Sequence, residues 1–313
     1  MQSGQTIRHY RILSRIESDG PGELYRAEDQ RLKRTVALRI LPDAFTRDLE
    51  TREECLRDVR TASSLDHPNI CAVAEIAETD DGRIVVAMVC YDGETLREKL
   101  HRGPFSVEMA IAVARQLTEG LAAAHDHAFV HGHLNPSNIM VTGDGVVKML
   151  DFGLPHAAAY VQESTPDPSR QTGAGKPEYR SPEQLRRELP DERSDIWTFG
   201  VLLYEMLTGI MPFRGSQLPG RMATIVAEDL PEAGMVRAEV PGSLSHLCKH
   251  CLSIDPQLRP QSMSDVQSLL GHWPFEVTAG GQPLWNRIRG RYVALAVGVL
   301  IVLTGLIVLI LSR

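Results

Sequence analysis

The most informative part of the chain lies near its middle and reads Val130-His131-Gly132-His133-Leu134-Asn135-Pro136-Ser137-Asn138, with Asp151-Phe152-Gly153 after it. Asn138 follows His133 by five positions, and Asp151 follows Asn138 by thirteen. Further short motifs flank this stretch in order: Val36-Ala37-Leu38-Arg39, Ser181-Pro182-Glu183, Asp195-Ile196-Trp197-Thr198-Phe199-Gly200, and Asp255-Pro256 through Arg259-Pro260. So many ordered motifs form a highly specific pattern, which covers about Tyr10 to Leu270.

In this order and spacing the motifs resemble those of protein kinases, most closely the eukaryotic-type serine/threonine kinases of bacteria. The central stretch is similar to the family's catalytic loop, H-R-D-L-K-P-x-N, with D-F-G after it. The resemblance implies an α+β, bilobal protein-kinase fold over residues 10–271, with a β-rich N-lobe at about 10–91 and a helical C-lobe at about 92–271. Residues 1–9 are expected to be an N-terminal tail.

Local sequence patterns agree with two lobes of different character. Stretches rich in β-branched and aromatic residues predict strands, and helical periodicity predicts helices. The predicted strands are Tyr10–Ile16, Glu23–Ala27, Thr35–Leu41 and Arg83–Val89, and the predicted helices are Arg52–Leu65, Val107–His127 and Ser194–Thr208. Leu154–Gly175 is polar and contains three prolines, which predicts a loop.

The catalytic loop departs from the family pattern at the positions that carry the chemistry. His133 stands where the family has the aspartate that accepts or orients the substrate hydroxyl proton. Asn135 replaces the lysine that steadies the transferred phosphoryl group, and Gly132 replaces the arginine that meets a phosphorylated activation loop. Losing a positioned base alone costs about 10²–10⁴ in rate. These substitutions indicate a catalytically impaired pseudokinase.

Positions that support the scaffold are retained. Asp195 resembles the aspartate that anchors the catalytic-loop backbone in the family, and Glu183 with Arg259 resembles the buried ion pair of the C-lobe. The resemblance therefore implies an intact scaffold around an altered catalytic loop.

The resemblance also implies a nucleotide pocket, which the sequence retains in part. The apolar positions around adenine correspond to Ile16, Leu24, Ala37, Met88 and Met140, with Cys90 in the hinge Val89–Tyr91. Asn138 and Asp151 correspond to the two Mg²⁺ ligands. Arg39 replaces the strand lysine and Asp58 its partner glutamate, so we expect these two side chains to form an ion pair across the lobe.

The glycine-rich loop that would cover the phosphates is altered. It corresponds to Glu17-Ser18-Asp19-Gly20-Pro21-Gly22, where only Gly22 matches one of the family's three glycines. Each of its two carboxylates would repel a phosphate charge about 6 Å away by roughly 2–3 kcal/mol at an effective dielectric near 20, unless it faces water. ATP and Mg²⁺ are therefore expected to bind weakly, and a pure scaffold would require neither.

The C-terminal part of the sequence predicts a single transmembrane helix at residues 292–311, after a juxtamembrane linker at 272–291. Val293–Leu311 contains no charge over 19 residues and would span roughly 28 Å as a helix, close to the hydrocarbon thickness. Arg287, Arg289 and Arg291 precede it, which predicts a cytoplasmic kinase-like domain on the inner membrane. Small residues at Gly290, Ala294 and Gly298 would permit a homodimer contact.

Composition excludes other classes of function. The net charge of −7, without a long basic run, argues against nucleic-acid binding. The five cysteines are irregularly spaced, which fits a reducing compartment better than a disulfide framework. Cys248-Lys249-His250-Cys251 mimics a metal motif but falls in a predicted helix, where packing is the simpler role. The first residues lack the apolar core of a signal peptide.

Three hypotheses follow. The first is a membrane-tethered pseudokinase that binds another kinase or signalling protein. The second is an active serine/threonine kinase with a non-standard catalytic loop, since histidine titrates near neutral pH and could serve as a base. The third is a nucleotide-responsive switch without phosphoryl transfer.

Overall fold

The computed structural model describes residues 2–18, 20–46, 49–154, 177–213, 225 and 230–271. These residues form a β-rich N-lobe and a helical C-lobe, which confirms the bilobal architecture. No helix within those ranges is long and apolar enough to span a bilayer. The predicted transmembrane helix at 292–311, the linker at 272–291 and the predicted loop after Leu154 lie outside the described residues.

The N-lobe is an antiparallel sheet with one helix packed on it. Its six strands lie in the order β1-β2-β3-β4-β6-β5. The strands are β1 (Thr6–Ile7), β2 (Tyr10–Ile16), β3 (Glu23–Asp29), β4 (Arg34–Ile40), β5 (Val73–Glu78) and β6 (Ile84–Val89), and helix α1 is Leu49–Ser63.

Strand periodicity decides which side chains face the cleft. Successive side chains of a strand point to opposite faces of the sheet. Val36, Leu38 and Ile40 of β4 pack into the apolar cluster on one face. Ala37 and Arg39 therefore lie on the other face, toward α1 and the C-lobe. This alternation alone brings Arg39 to the inter-lobe cleft.

The observed N-lobe differs from the predicted one in two places. Strand β5 was not predicted, because four of the six residues of Val73–Glu78 are Ala or Glu, which are depleted in strands, and only Ala77 is buried. The stretch predicted as a tail contributes β1, which pairs with β2 through Thr6 opposite Arg11 and Ile7 opposite Tyr10. Burial of Ile7 in the sheet core accounts for this added strand.

The C-lobe is built around one fully buried helix. Its helices are α2 (Leu96–Leu100), α3 (Val107–His125), α4 (Pro182–Leu185), α5 (Glu192–Thr208), α6 (Ala233–Val236), α7 (Gly242–Cys251) and α8 (Met263–Gly271). Every residue of α5 from Ser194 to Thr208 is buried, as expected of an apolar helix inside a core. Asp191 caps its N-terminus through Arg193 N, and Gly209 ends it at φ 76°.

The two cysteines of α7 pack in the core of the C-lobe. Both Cys248 and Cys251 are buried in the C-lobe core. A Cβ added to Gly200 of α5 would lie 2.6 Å from Cys251 Cβ, so the two helices meet at a glycine. Within the described ranges no group of His, Cys, Asp and Glu could hold a metal ion. Packing is therefore the observed role of this motif.

A small three-stranded sheet follows the catalytic-loop stretch, residues 130–138, in the C-lobe. It has the order β7-β8-β9, formed by β7 (Gly93–Thr95), β8 (Ile139–Thr142) and β9 (Val147–Met149). The stretch 130–138 connects α3 to β8 through a 3₁₀ turn, Pro136–Asn138, and β9 leads directly to Asp151. Leu150 N donates to Asn138 O at 2.8 Å, so the hairpin holds the two loops side by side.

Candidate functional site

A buried carboxylate fixes the backbone of the catalytic-loop stretch. Asp195, on the first turns of α5, accepts hydrogen bonds from His131 N at 2.8 Å, Gly132 N at 2.7 Å and His125 Nε2 at 2.8 Å. Burial by itself would raise the pKa of Asp195, but these hydrogen bonds and the neighbouring histidines outweigh it and lower the pKa. An ionised Asp195 therefore anchors the loop from below, as the sequence resemblance implied.

The ring of His131 forms part of the loop's support. Burial lowers the pKa of His131, which keeps the ring neutral. Its Nε2 donates to Leu150 O at 3.2 Å, and its ring meets Phe152 edge-on with centroids 4.5 Å apart. His131 thus ties the catalytic-loop stretch to the segment that bears Asp151.

The side chain of His133 is folded back onto its own loop. Its Nδ1 donates to His131 O at 2.9 Å, and the rings of His131 and His133 have centroids 4.5 Å apart. Nε2, the nitrogen left to act as a base when Nδ1 carries the proton, is shielded from solvent. A general base must come within about 2.6–3.2 Å of the proton it takes, and a nitrogen shielded from solvent is poorly placed to meet an incoming hydroxyl.

Asn135 and Asn138 stabilise the 3₁₀ turn between them. Asn138 Oδ1 accepts from Asn135 N at 2.8 Å, and Asn135 Oδ1 accepts from Ser137 N at 2.9 Å. Asn138 Nδ2 donates to His133 O at 3.1 Å. Both asparagine side chains are buried. Asn135 therefore acts as a helix cap in this structure, where a lysine would project a cation.

Arg39 pairs with Asp151, and the predicted Arg39–Asp58 pair is not formed. Arg39 Nη2 lies 2.7 Å from Asp151 Oδ1 and 2.8 Å from Oδ2, with the two side chains only 1% and 5% exposed. Burial raises the pKa of Asp58, partly offset by Arg57, and no ion pair joins Asp58 to Arg39 in the described residues. An aspartate is one methylene shorter than the expected glutamate, whereas Asp151, at φ 63°, presents its carboxylate to the guanidinium.

The N-lobe sheet brings some of the predicted adenine positions together, since Ile16 lies opposite Leu24 and Ala37 opposite Met88. Met88 is buried, and the remaining predicted positions are half-buried: Ile16, Leu24, Ala37, Cys90 and Met140. Leu24 and Ala37 pack against the cluster that contains Met88. Whether these positions form a slot that binds a nucleotide stays a prediction.

The altered glycine-rich loop is folded down onto the ion pair. Gly22 has φ 76°, and a Cβ there would lie 2.0 Å from Ile40 O, so only glycine fits. Gly20 is also tightly packed, since a Cβ there would lie 2.7 Å from both Arg39 Nη1 and Asp151 Oδ2. Glu17 is exposed to solvent, and Asp19 lies outside the described residues. The predicted charge repulsion from Glu17 is therefore weakened by water.

The two predicted Mg²⁺ ligands do not fit a metal ion as they stand. Both carboxylate oxygens of Asp151 bond to Arg39, and the amide of Asn138 bonds to its own loop at both ends. Mg²⁺ requires near-octahedral oxygen ligands at about 2.0–2.1 Å. A guanidinium on the carboxylate and a backbone N–H on the amide oxygen occupy those positions.

Sequence reasoning missed several contacts that shape the site. Ser18 Oγ accepts from Arg39 Nη2 at 2.9 Å, and Gln184 Nε2 donates to Gly132 O. Tyr179 donates to Glu205 Oε2 at 2.6 Å and accepts from Arg97 Nη2 at 3.0 Å, which links α2 to α5 beside the site. Ser18 lies in no pattern that the sequence could have signalled. Gln184 completes a capping box with Ser181, a readable pattern that signals the helix start but not the bond to Gly132 O. A buried tyrosine usually has a hydrogen-bond partner, which the sequence could have suggested for Tyr179.

Comparison with known proteins gives a consistent match. The family model described as the protein kinase domain matches residues 10–273. Serine/threonine-protein kinase pkn3 of Myxococcus xanthus is 33% identical over 271 residues, which cover 83% of this chain and 49% of the relative. Serine/threonine-protein kinase PrkC of Bacillus subtilis is also 33% identical, over 83% of this chain and 39% of the relative. The chain thus spans half or less of the length of these relatives.

The fold also matches a solved structure. The kinase domain of Mycobacterium tuberculosis PknI superposes with a TM-score of 0.68 at 21% sequence identity, covering 87% of this chain and 98% of that one. At this level of identity the match concerns the fold alone.

Proposed function

The chain belongs to the protein kinase family, and on that premise we propose that its kinase-like domain works by binding, as a catalytically impaired pseudokinase. Its task would be to present a kinase-shaped surface to another kinase or signalling protein, as a scaffold or an allosteric regulator. The resemblance covers the whole domain, while the departures from the family pattern lie in the catalytic loop, in the glycine-rich loop and at the Arg39 and Asp58 positions.

The burial of His133 Nε2 carries this proposal. An active site needs a base directed at the attacking hydroxyl, but His133 donates its Nδ1–H to the carbonyl of His131, and Nε2, the nitrogen left to act as a base, is shielded from solvent. The absence of an aligned base removes a factor of about 10²–10⁴, or roughly 2.7–5.5 kcal/mol of barrier lowering. The turned-in Asn135 adds the loss of a cation beside the developing charge.

We expect no phosphate transfer from the purified chain. Incubation with radiolabelled ATP, Mg²⁺ or Mn²⁺ and mixed serine- and threonine-containing acceptor proteins should give no incorporation above that of Asp151→Ala. His133→Ala should match the wild type, because the ring contributes no proton transfer. His246→Ala, which alters an exposed histidine on α7, is the control for preparation effects.

The second candidate function is an active serine/threonine kinase with a non-standard catalytic loop. The names of the relatives favour it, since pkn3 and PrkC are both serine/threonine-protein kinases. Retention of Asn138 and Asp151 at the family's metal positions also supports it. Steady incorporation that disappears in both His133→Ala and Asp151→Ala, but persists in His246→Ala, would establish this function in place of the first.

Membrane tethering is part of the proposed function. Its support is the uncharged run Val293–Leu311 and the three arginines before it, which favour a domain on the cytoplasmic face of the inner membrane. A domain held there would meet only partners at or near that surface. The small-residue spacing around Ala294 supports pairing of two such helices.

The tether predicts how the chain fractionates. The full chain should stay with the membrane pellet after an alkaline carbonate wash, and a chain ending at residue 285 should be released. Val302→Arg with Leu306→Arg should weaken insertion strongly, since each arginine at the helix centre costs about 2.5–3.5 kcal/mol. Recovery of the full chain in the soluble fraction would contradict the tether without bearing on catalysis.

A further inference from the structure

Arg39 occupies a central place in the cleft. Its Nη2 bonds to both oxygens of Asp151 and to Ser18 Oγ, and its Nη1 donates to Pro21 O at 3.2 Å. The guanidinium thus contacts the catalytic side of the C-lobe and the folded-down loop of the N-lobe together. Arg39 therefore links the glycine-rich loop to Asp151, at the place where the family binds the nucleotide phosphates.

A buried carboxylate needs a positive charge beside it, and here the protein supplies that charge. Asp151 is almost fully buried, and an unpaired charge at such a position is strongly unfavourable. In the family a divalent ion meets this carboxylate. The planar guanidinium is well suited to replace it, since its donors match the oxygens of a carboxylate.

The surroundings of the ion pair disfavour a second cation. The backbone at Gly20 lies so near that a single added carbon would be 2.7 Å from both partners of the ion pair. The Asn138 amide oxygen, the other predicted ligand, is bonded to Asn135 N. A divalent ion at Asp151 would also stand beside a buried guanidinium of the same sign of charge, which is repulsive.

We propose that the Arg39 guanidinium is the resident cation of this cleft, so that divalent metal does not bind at Asp151 and a nucleotide entering the cleft binds without a metal ion. This deepens the proposed function and rests on it, because a cleft closed to Mg²⁺ is suited to binding and not to phosphoryl transfer. The ligand class is then an uncomplexed adenine nucleotide or nucleoside, held by the apolar slot.

The test measures metal binding that depends on Asp151. Mn²⁺ is titrated into the detergent-solubilised full chain, with and without ATP, and free Mn²⁺ is followed by electron paramagnetic resonance. Wild type and Asp151→Asn should give the same binding curves. At least tenfold tighter Mn²⁺ binding by the wild type than by Asp151→Asn would overturn the proposal.

Removing the guanidinium should open the metal site. Arg39→Gln should bind Mn²⁺ at least tenfold more tightly than the wild type, and Asp151→Asn added to it should abolish the gain. Arg11→Gln, which breaks an exposed pair with Glu28 on the N-lobe, is the matched control and should gain nothing. A folded Arg39→Gln chain with no gain would count against the proposal.

A wild-type measurement keeps the proposal testable if Arg39→Gln does not fold. The rise in melting temperature caused by ATP should be equal in Mg²⁺ and in EDTA, whatever its size, and a Mg²⁺-dependent rise would overturn metal exclusion. The two proposals fail separately. Mn²⁺ bound at Asp151 without phosphate transfer would refute the resident-cation proposal alone, whereas measured transfer would refute the proposed function.

Discussion

Replacing Asp195 by alanine should destabilise the kinase-like domain by about 3–5 kcal/mol, one of the two largest effects expected of a single substitution in this chain. The carboxylate is fully buried and accepts from His125 Nε2 and from two backbone N–H groups, those of His131 and Gly132. Alanine would leave all three donors without an acceptor. Each buried donor left unpaired costs about 1–3 kcal/mol.

The measurement is urea unfolding followed by tryptophan fluorescence, since Trp197 lies in the core two residues from Asp195. Asp191→Ala is the matched control, because it removes the same side chain from the exposed N-terminus of the same helix. Loss of that N-cap should cost only about 0.5–2 kcal/mol. If the unfolding free energy of Asp195→Ala lay within about 1 kcal/mol of the wild-type value, the anchor would be dispensable.

The second large effect concerns the buried ion pair between Glu183 and Arg259. Arg259 Nη1 and Nη2 lie 2.7 and 2.9 Å from the two oxygens of Glu183, and Ser194 Oγ donates to the same carboxylate at 2.7 Å. The structure confirms this pair, which the sequence resemblance implied. Arg259→Ala should cost about 3–5 kcal/mol, because it leaves a buried carboxylate without its cation.

The same pair predicts how stability responds to acid. Burial alone would raise the pKa of Glu183, but hydrogen bonds from Arg259 and Ser194 outweigh it and lower the pKa to about 2. A depressed pKa in the folded state means that the stabilisation is complete above the unfolded value near 4.5 and is lost as pH falls toward 2. Glu183 should account for about 2 kcal/mol of lost stability between pH 6 and pH 3.

Glu183→Gln isolates that contribution, because glutamine does not titrate. The difference in unfolding free energy between wild type and Glu183→Gln should shrink by about 2 kcal/mol from pH 6 to pH 3. Arg186→Ala breaks an exposed pair with Glu188 nearby and should change stability by less than about 1 kcal/mol at either pH. A pH-independent difference between wild type and Glu183→Gln would mean that the pair does not hold the carboxylate ionised.

Strands and helices were predicted well where their own residue pattern matches the face that they bury in the core. Strand β2 has the predicted bounds, Tyr10–Ile16, and α3 begins at the predicted Val107. The sequence failed to predict elements whose formation depends on pairing with neighbouring elements. Strand β5 exists because it pairs with β6 and covers α1, and its own composition, Val-Ala-Glu-Ile-Ala-Glu, carries little strand signal.

The order and spacing of the motifs determined the fold, the identity of the altered catalytic position and the two buried anchors, Asp195 and Glu183. Such features depend on residue type at fixed separations, which a linear sequence records. The three-dimensional arrangement was needed to show that Arg39 pairs with Asp151 and not with Asp58, and that His133 Nδ1 bonds to the carbonyl of His131. The partner of a side chain depends on distances of an ångström between segments far apart in sequence, here 112 residues for Arg39 and Asp151.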